Sequence, residues 1–128
     1  MNDGRLRATL SLAMRPERQF ASRFYARLFA AHPDLRALFP KDMSRQERKL
    51  LEMLDYLVDQ LEDPARVEPL LEGLGRRHVA YGVKPGHYDA MGKILIRALA
   101  ECATEEWRDG DEALWHEAYR TLVAGMTP

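Results

Sequence analysis

Five prolines, Pro16, Pro33, Pro40, Pro64 and Pro85, each fall at a break between runs of apolar residues spaced three and four apart. Proline drives the residue before it out of helical geometry, and the runs between these breaks have a helical rather than an alternating period. The chain therefore reads as a succession of helices. A short first one covers 4–14 and a second 17–31, where Phe20, Phe24, Leu28 and Phe29 hold the spacing. A brief turn of helix runs from Pro33 to Leu38, and longer helices cover 44 to about Glu62, 66–80, 86–103 and 111 to about Gly125. Ser44 with Glu47 fits a capping box, Pro85 suits a first helical position, and Asp111 suits the cap of the last helix. No alternating β-branched run argues for a strand, so the fold class is all-α.

At 128 residues the chain can bury one core and not two, which makes 1–128 a single domain. A composition 46% hydrophobic and 30% charged is that of a globular protein. The net charge of −1 gives no electrostatic basis for binding nucleic acid or an anionic membrane. Cys102, the one cysteine, cannot form an internal disulfide, so a cytoplasmic location is expected. Arg97 interrupts the most apolar stretch, "ILIRALAECA", well short of the roughly 18 residues that span a bilayer. "ATLSLAM" is followed by "RPER" where a signal peptide would have small residues. Several motifs fail on spacing: "GLGRRH" lacks the third glycine of a dinucleotide loop, and "DGDEALWHE" lacks calcium-ligand spacing. Neither paired cysteines nor His-Glu-x-x-His is present for zinc.

Three polar residues interrupt apolar faces. Tyr25 lies beside Phe24 on the buried side of its helix; Gln46 opens the stripe Gln46, Leu50, Met53, Leu54, Leu57, Leu61; His78 ends the stripe Leu70, Leu74, His78. Singly, each has an ordinary explanation in a half-buried phenol, a solvated first-turn amide and a satisfied core imidazole. Jointly they describe a pocket with a phenol and a carboxamide on one wall and an imidazole on the other. A neutral imidazole is a good iron ligand, and a single axial one leaves the opposite iron face open to a diatomic. Lys49, Arg76, Arg77 and Lys84 would flank such a pocket, as partners for carboxylates or as plain solvated charge.

The segments "FYARLFAAHPDLRALFP" (24–40), "RQERKLLEMLDYLV" (45–58) and "LGRRHVAYGVKPGHYDAMGKILI" (74–96) resemble a bacterial single-domain globin, close to the globin domain of flavohaemoglobins. The likeness covers residues 6–126. It implies a three-over-three helical sandwich with a shortened first helix and no separate helix between Pro40 and Ser44. The smaller two-over-two truncated globins, also similar in size, typically carry Gly-Gly breaks, and this sequence has no Gly-Gly. By the resemblance the cofactor is haem b, iron protoporphyrin IX. His78 is its proximal iron ligand, Phe39 packs on the haem face, and Leu50, Leu74 and Val83 line the pocket. Tyr25 and Gln46 form the distal hydrogen-bonding pair beside Leu50, Tyr88 matches a proximal-side tyrosine, and Lys49 and Arg77 are candidates for the propionates. His32, His87 and His116 are expected at the surface, with His87 near the pocket rim.

The function implied is binding of O2, NO and CO at a pentacoordinate iron by a monomer or homodimer. Distal hydrogen bonds would make O2 release slow, which suits scavenging, storage or sensing. The alternatives are a nitric oxide dioxygenase working with a separate reductase, since no flavin or nicotinamide segment is present, and a haem-free interaction module on the same fold. Flavohaemoglobins also place a glutamate late in the last helix, beside the proximal histidine. The sequence runs to "AGMTP" without one, so a less strongly activated histidine is expected.

Overall fold

The computed structural model describes residues 4–61 and 63–127. Among them are six α-helices and no strand: α1 Arg5–Ala13, α2 Phe20–Ala31, α3 Ser44–Gln60, α4 Pro64–Ala80, α5 His87–Cys102 and α6 Asp111–Met126. Short 3-10 turns at Pro16–Arg18 and Pro33–Leu38 bracket α2. Glu62, where the sequence reading ends the α3 helix, lies outside the described residues. Helices α2, α5 and α6 pack side by side as one layer and α1, α3 and α4 as the other, joined across by α1 on α5 and α6, α2 on α3, and α4 on α6. This is the three-over-three sandwich that the resemblance implied, with α1 only nine residues long.

The core divides in two. The larger cluster joins Leu6 and Leu10 of α1, Phe20, Phe24 and Leu28 of α2, Leu54 of α3, Leu95, Ile96 and Leu99 of α5 and Trp115 of α6. Its polar seam is satisfied: Trp115 Nε1 donates to Thr9 Oγ1 at 2.8 Å, and both residues are buried. The smaller cluster is Leu57, Val67, Leu71 and Leu122. Thus the buried positions of α4 are Val67, Leu71 and Gly75, not the stripe through Leu70, Leu74 and His78, which is half-buried on their flank.

Three end signals act otherwise than the sequence suggests. The cap of α3 is Met43, which has no side-chain bond to give; the Ser44 N–H donates instead to Asp42 Oδ1 at 3.0 Å, and no Ser44–Glu47 box forms. Pro85 precedes α5, whose first residue is His87. Asp111 is already the first residue of α6, and its carboxylate accepts from Arg5 Nη2 at 2.8 Å and from the Arg108 N–H at 2.8 Å. A charge partner a hundred residues away took the side chain that a local cap would have used, tying α1 to the last helix.

Backbones approach closely where α4 and α5 meet α6. A Cβ at Gly75 would stand 1.9 Å from the Met126 carbonyl oxygen, and one at Gly92 would stand 2.4 Å from Cε2 of Tyr119. The Tyr119 ring is not free to yield, because its hydroxyl donates to the Tyr88 carbonyl at 2.6 Å. Gly92→Ala gains about 1 kcal/mol of helix propensity. Against that stand roughly 1–3 kcal/mol of overpacking and about 1 kcal/mol for the displaced hydrogen bond. A net loss of about 1–3 kcal/mol is expected as a lower denaturant midpoint; a raised midpoint would show that Tyr119 moves aside at no cost.

Candidate functional site

The site is assembled from two sets of side chains. The first sits where α2, the Pro33–Leu38 turn and the start of α3 meet. Tyr25 is buried, 6% exposed, because its position on α2 faces the same side as Phe24 and Leu28. Its ring lies 4.9 Å from Phe24, 5.9 Å from Phe29 and 5.6 Å from Phe39, centroid to centroid. Its hydroxyl oxygen accepts a hydrogen bond from Gln46 Nε2 at 3.0 Å. Burial raises the Tyr25 pKa, and the Gln46 bond offsets part of that rise, so the phenol keeps its proton at neutral pH. Since Gln46 donates to the oxygen, that proton remains available to a further acceptor.

Phe39 follows the turn in extended backbone and packs its half-buried ring 5.3 Å from Phe29. The turn is held by Arg36, which the sequence reading did not single out. Its guanidinium donates to the carbonyls of Phe39, Pro40 and Lys41 at 3.3, 2.9 and 3.0 Å. It also lies 5.2 Å over the Phe29 ring. Leu50, one turn into α3 from Gln46, is half-buried against the main core.

The second set is at the end of α4. His78 Nδ1 lies 2.7 Å from the Leu74 carbonyl oxygen. A carbonyl only accepts, so Nδ1 carries the proton and a neutral ring keeps its lone pair on Nε2. The His78 carbonyl in turn accepts from the Val83 N–H at 3.0 Å, which folds the following loop back onto the helix end. The Tyr88 ring lies 6.1 Å from that of His78. Its hydroxyl is buried and has no hydrogen-bond partner among the described residues, and that desolvation raises its pKa. Tyr119, also missed, positions this group through its bond to the Tyr88 backbone; its only signal was the apolar spacing of α6.

The two sets adjoin at the loop after α4, where a Cβ at Gly82 would meet Leu38 Cδ2 at 3.4 Å. Lys49 and Arg77 are exposed. His32, His87 and His116 are half-buried, each partly open to solvent. The His32 and His87 rings lie 6.4 Å apart, and His87 Nδ1 accepts the Lys84 N–H at 3.0 Å. Among the described residues no cluster of three His, Cys, Asp or Glu side chains could hold a metal by itself. No helix there is long and apolar enough to cross a membrane.

A family model described as Globin matches residues 22–126. The Flavohemoprotein of Bordetella parapertussis is 31% identical over 107 residues, 78% of this chain and 26% of that protein. That of Chromobacterium violaceum is 30% identical over 122 residues, 92% of this chain and 30% of that protein. The Flavohemoprotein of Rhizobium meliloti is 28% identical over 109 residues, 80% of this chain and 27% of that protein. The chain thus spans between a quarter and a third of the length of these relatives.

Proposed function

The chain belongs to the globin family, and from that premise we propose that it is a haem protein in which His78 holds the iron and Tyr25 secures a bound diatomic gas. The observation that carries the reading is the tautomer of His78. Its Nδ1–H is spent on Leu74 within the same helix turn, which fixes the ring and leaves Nε2 as the ligating nitrogen. The other residues fit the same group. Phe39, Leu50, Leu74 and Val83 offer half-buried apolar surface for a porphyrin face. Tyr88 has a buried hydroxyl with no partner among the described residues, beside the histidine. Lys49 and Arg77 are free to meet its carboxylates.

Haem, when bound, supplies a ferrous iron that takes O2, NO or CO. The chain supplies the rest. Tyr25 donates its proton to a polar ligand, Gln46 holds the phenol in place, and the surrounding phenylalanines keep water out, which strengthens the bond. Slow O2 release follows, suiting scavenging or storage in the cytoplasm, where the one cysteine stays reduced. The same donor suits detoxification of nitric oxide. That conversion, of one NO and one O2 to nitrate, takes one electron per turnover and so needs an electron donor.

Titration of the protein with haemin tests the reading. Saturation at one haem per chain is expected, and reduction under carbon monoxide should give the sharp Soret band of a histidine-ligated carbonyl. Non-saturating uptake with a broad, free-haem spectrum would instead favour a haem-free interaction module.

A further inference from the structure

Between the Pro33–Leu38 turn and α3 the chain runs through residues 39–43 with no helix of its own. Irregular backbone has no ladder to satisfy its carbonyls, so each needs a donor from elsewhere. For Phe39, Pro40 and Lys41 that donor is one side chain. Arg36 Nη1 donates to the first two at 3.3 and 2.9 Å, and Nη2 to the third at 3.0 Å. Among the described residues no other group donates to these three oxygens. Pro40 has no N–H to add, and the Phe39 N–H is spent on the Arg36 carbonyl at 3.1 Å. Arg36 thus closes the segment with its side chain and its backbone together.

This clasp reaches the buried phenol by two routes. The guanidinium lies 5.2 Å over the Phe29 ring, which stacks on Tyr25 at 5.9 Å and 26°. The closed segment carries Phe39, whose ring stands edge-on to Tyr25 at 5.6 Å and 63°. It then leads into α3, where Gln46 donates to the Tyr25 hydroxyl at 3.0 Å. Of the groups around Tyr25, only Phe24, its neighbour on α2, stands apart from Arg36.

We propose that Arg36 is a positioning residue: through Phe39 and Gln46 it aims the Tyr25 hydroxyl at a bound gas, and it does so as a planar fork that lysine cannot replace. The target of the hydroxyl rests on the haem reading above; the clasp rests on geometry alone. An ammonium is a compact point charge, and it cannot spread across three carbonyls while lying against a phenyl ring. The action is mechanical rather than electrostatic, since burial, Gln46 and Glu47 are the causes that move the Tyr25 pKa.

Arg36→Lys and Arg36→Met, each set beside the unaltered chain, test this in two ways. In the full chain without haem, NMR contacts between the Tyr25 and Phe39 rings should be lost in both variants, while those between Tyr25 and Phe24 persist. In haem-loaded protein both variants should release O2 about three- to tenfold faster, part of what deleting the hydroxyl would give, with carbon monoxide release nearly unchanged. Placed beside Tyr25→Phe, the same substitutions should add less than about twofold, because the group they misalign is already gone. A merely structural arginine would lower the unfolding midpoint, keep the ring contacts and change O2 release by the same factor with or without the hydroxyl. That pattern would overturn the proposal, and so would behaviour of Arg36→Lys like that of the unaltered chain. If the unaltered chain took up no haem, the haem reading would fall, and the ring contacts would still uphold or overturn the clasp.

Discussion

His78→Ala is expected to strip the protein of haem. In metal sites, losing a partner that merely orients a ligand already costs about 10–100-fold in affinity, so losing the ligand itself should exceed that. Haem transfer to an acceptor protein should therefore speed up by more than roughly a hundredfold. Added imidazole should restore much of the original spectrum by occupying the space the side chain left. The apoprotein should keep its helical circular dichroism, since His78 is only half-buried and outside both hydrophobic clusters. A variant with full haem retention and an unchanged ferrous carbonyl spectrum would show that another residue holds the iron.

Tyr25→Phe should accelerate O2 release by about ten- to a hundredfold, the equivalent of roughly 1–3 kcal/mol for a donor to a polarised acceptor in a dry site. The ring keeps its packing against Phe24, Phe29 and Phe39, so the change isolates the hydroxyl. Carbon monoxide is much less polar as a ligand, and its release should hardly change; that contrast separates a hydrogen bond from a steric effect. Gln46→Leu should act in the same direction more weakly, because Gln46 orients the phenol through its 3.0 Å bond. The two changes should be non-additive, since they act through one hydroxyl. If Tyr25→Phe left O2 release unaltered, the buried phenol would be a core residue with its bond to Gln46 as its whole purpose.

Much of the helical frame was legible because proline and apolar period are local signals. The breaks at Pro16, Pro33, Pro40 and Pro64 fall within a few residues of helix ends. The failures come from competing partners, one distant and one near. Asp111 has the right type and place for a cap, yet Arg5 of α1 claims it. Ser44 with Glu47 satisfies a local pattern, yet Asp42 takes the Ser44 N–H. On α4, periodicity could not tell the face toward α6 from its flank, so His78 was placed on the innermost stripe. Within the candidate site, period showed that Tyr25 faces inward but not that Gln46, twenty-one residues on, would reach it; family resemblance supplied that pairing. Tyr119 acts through the Tyr88 carbonyl that the fold brings near, and Arg36 through the carbonyls of the residues just after it, which only the turn aims at its guanidinium.

The division of the core bears on how a rigid, planar ring enters a finished protein. No described residue of α4 belongs to the larger cluster; Val67 and Leu71 cluster with Leu57 and Leu122, with Met53, Leu61 and Met126 packed against them. Cooperative units of unequal strength can open one without the other, the weaker first. Helix α4 is held through the smaller cluster and its close approach to the end of α6, and the larger cluster holds α1, α2, α5 and α6 together without it. If His78 holds the iron, the ligand sits on a cooperative unit separate from the larger cluster, and cofactor uptake is expected to order that unit locally while the larger cluster persists.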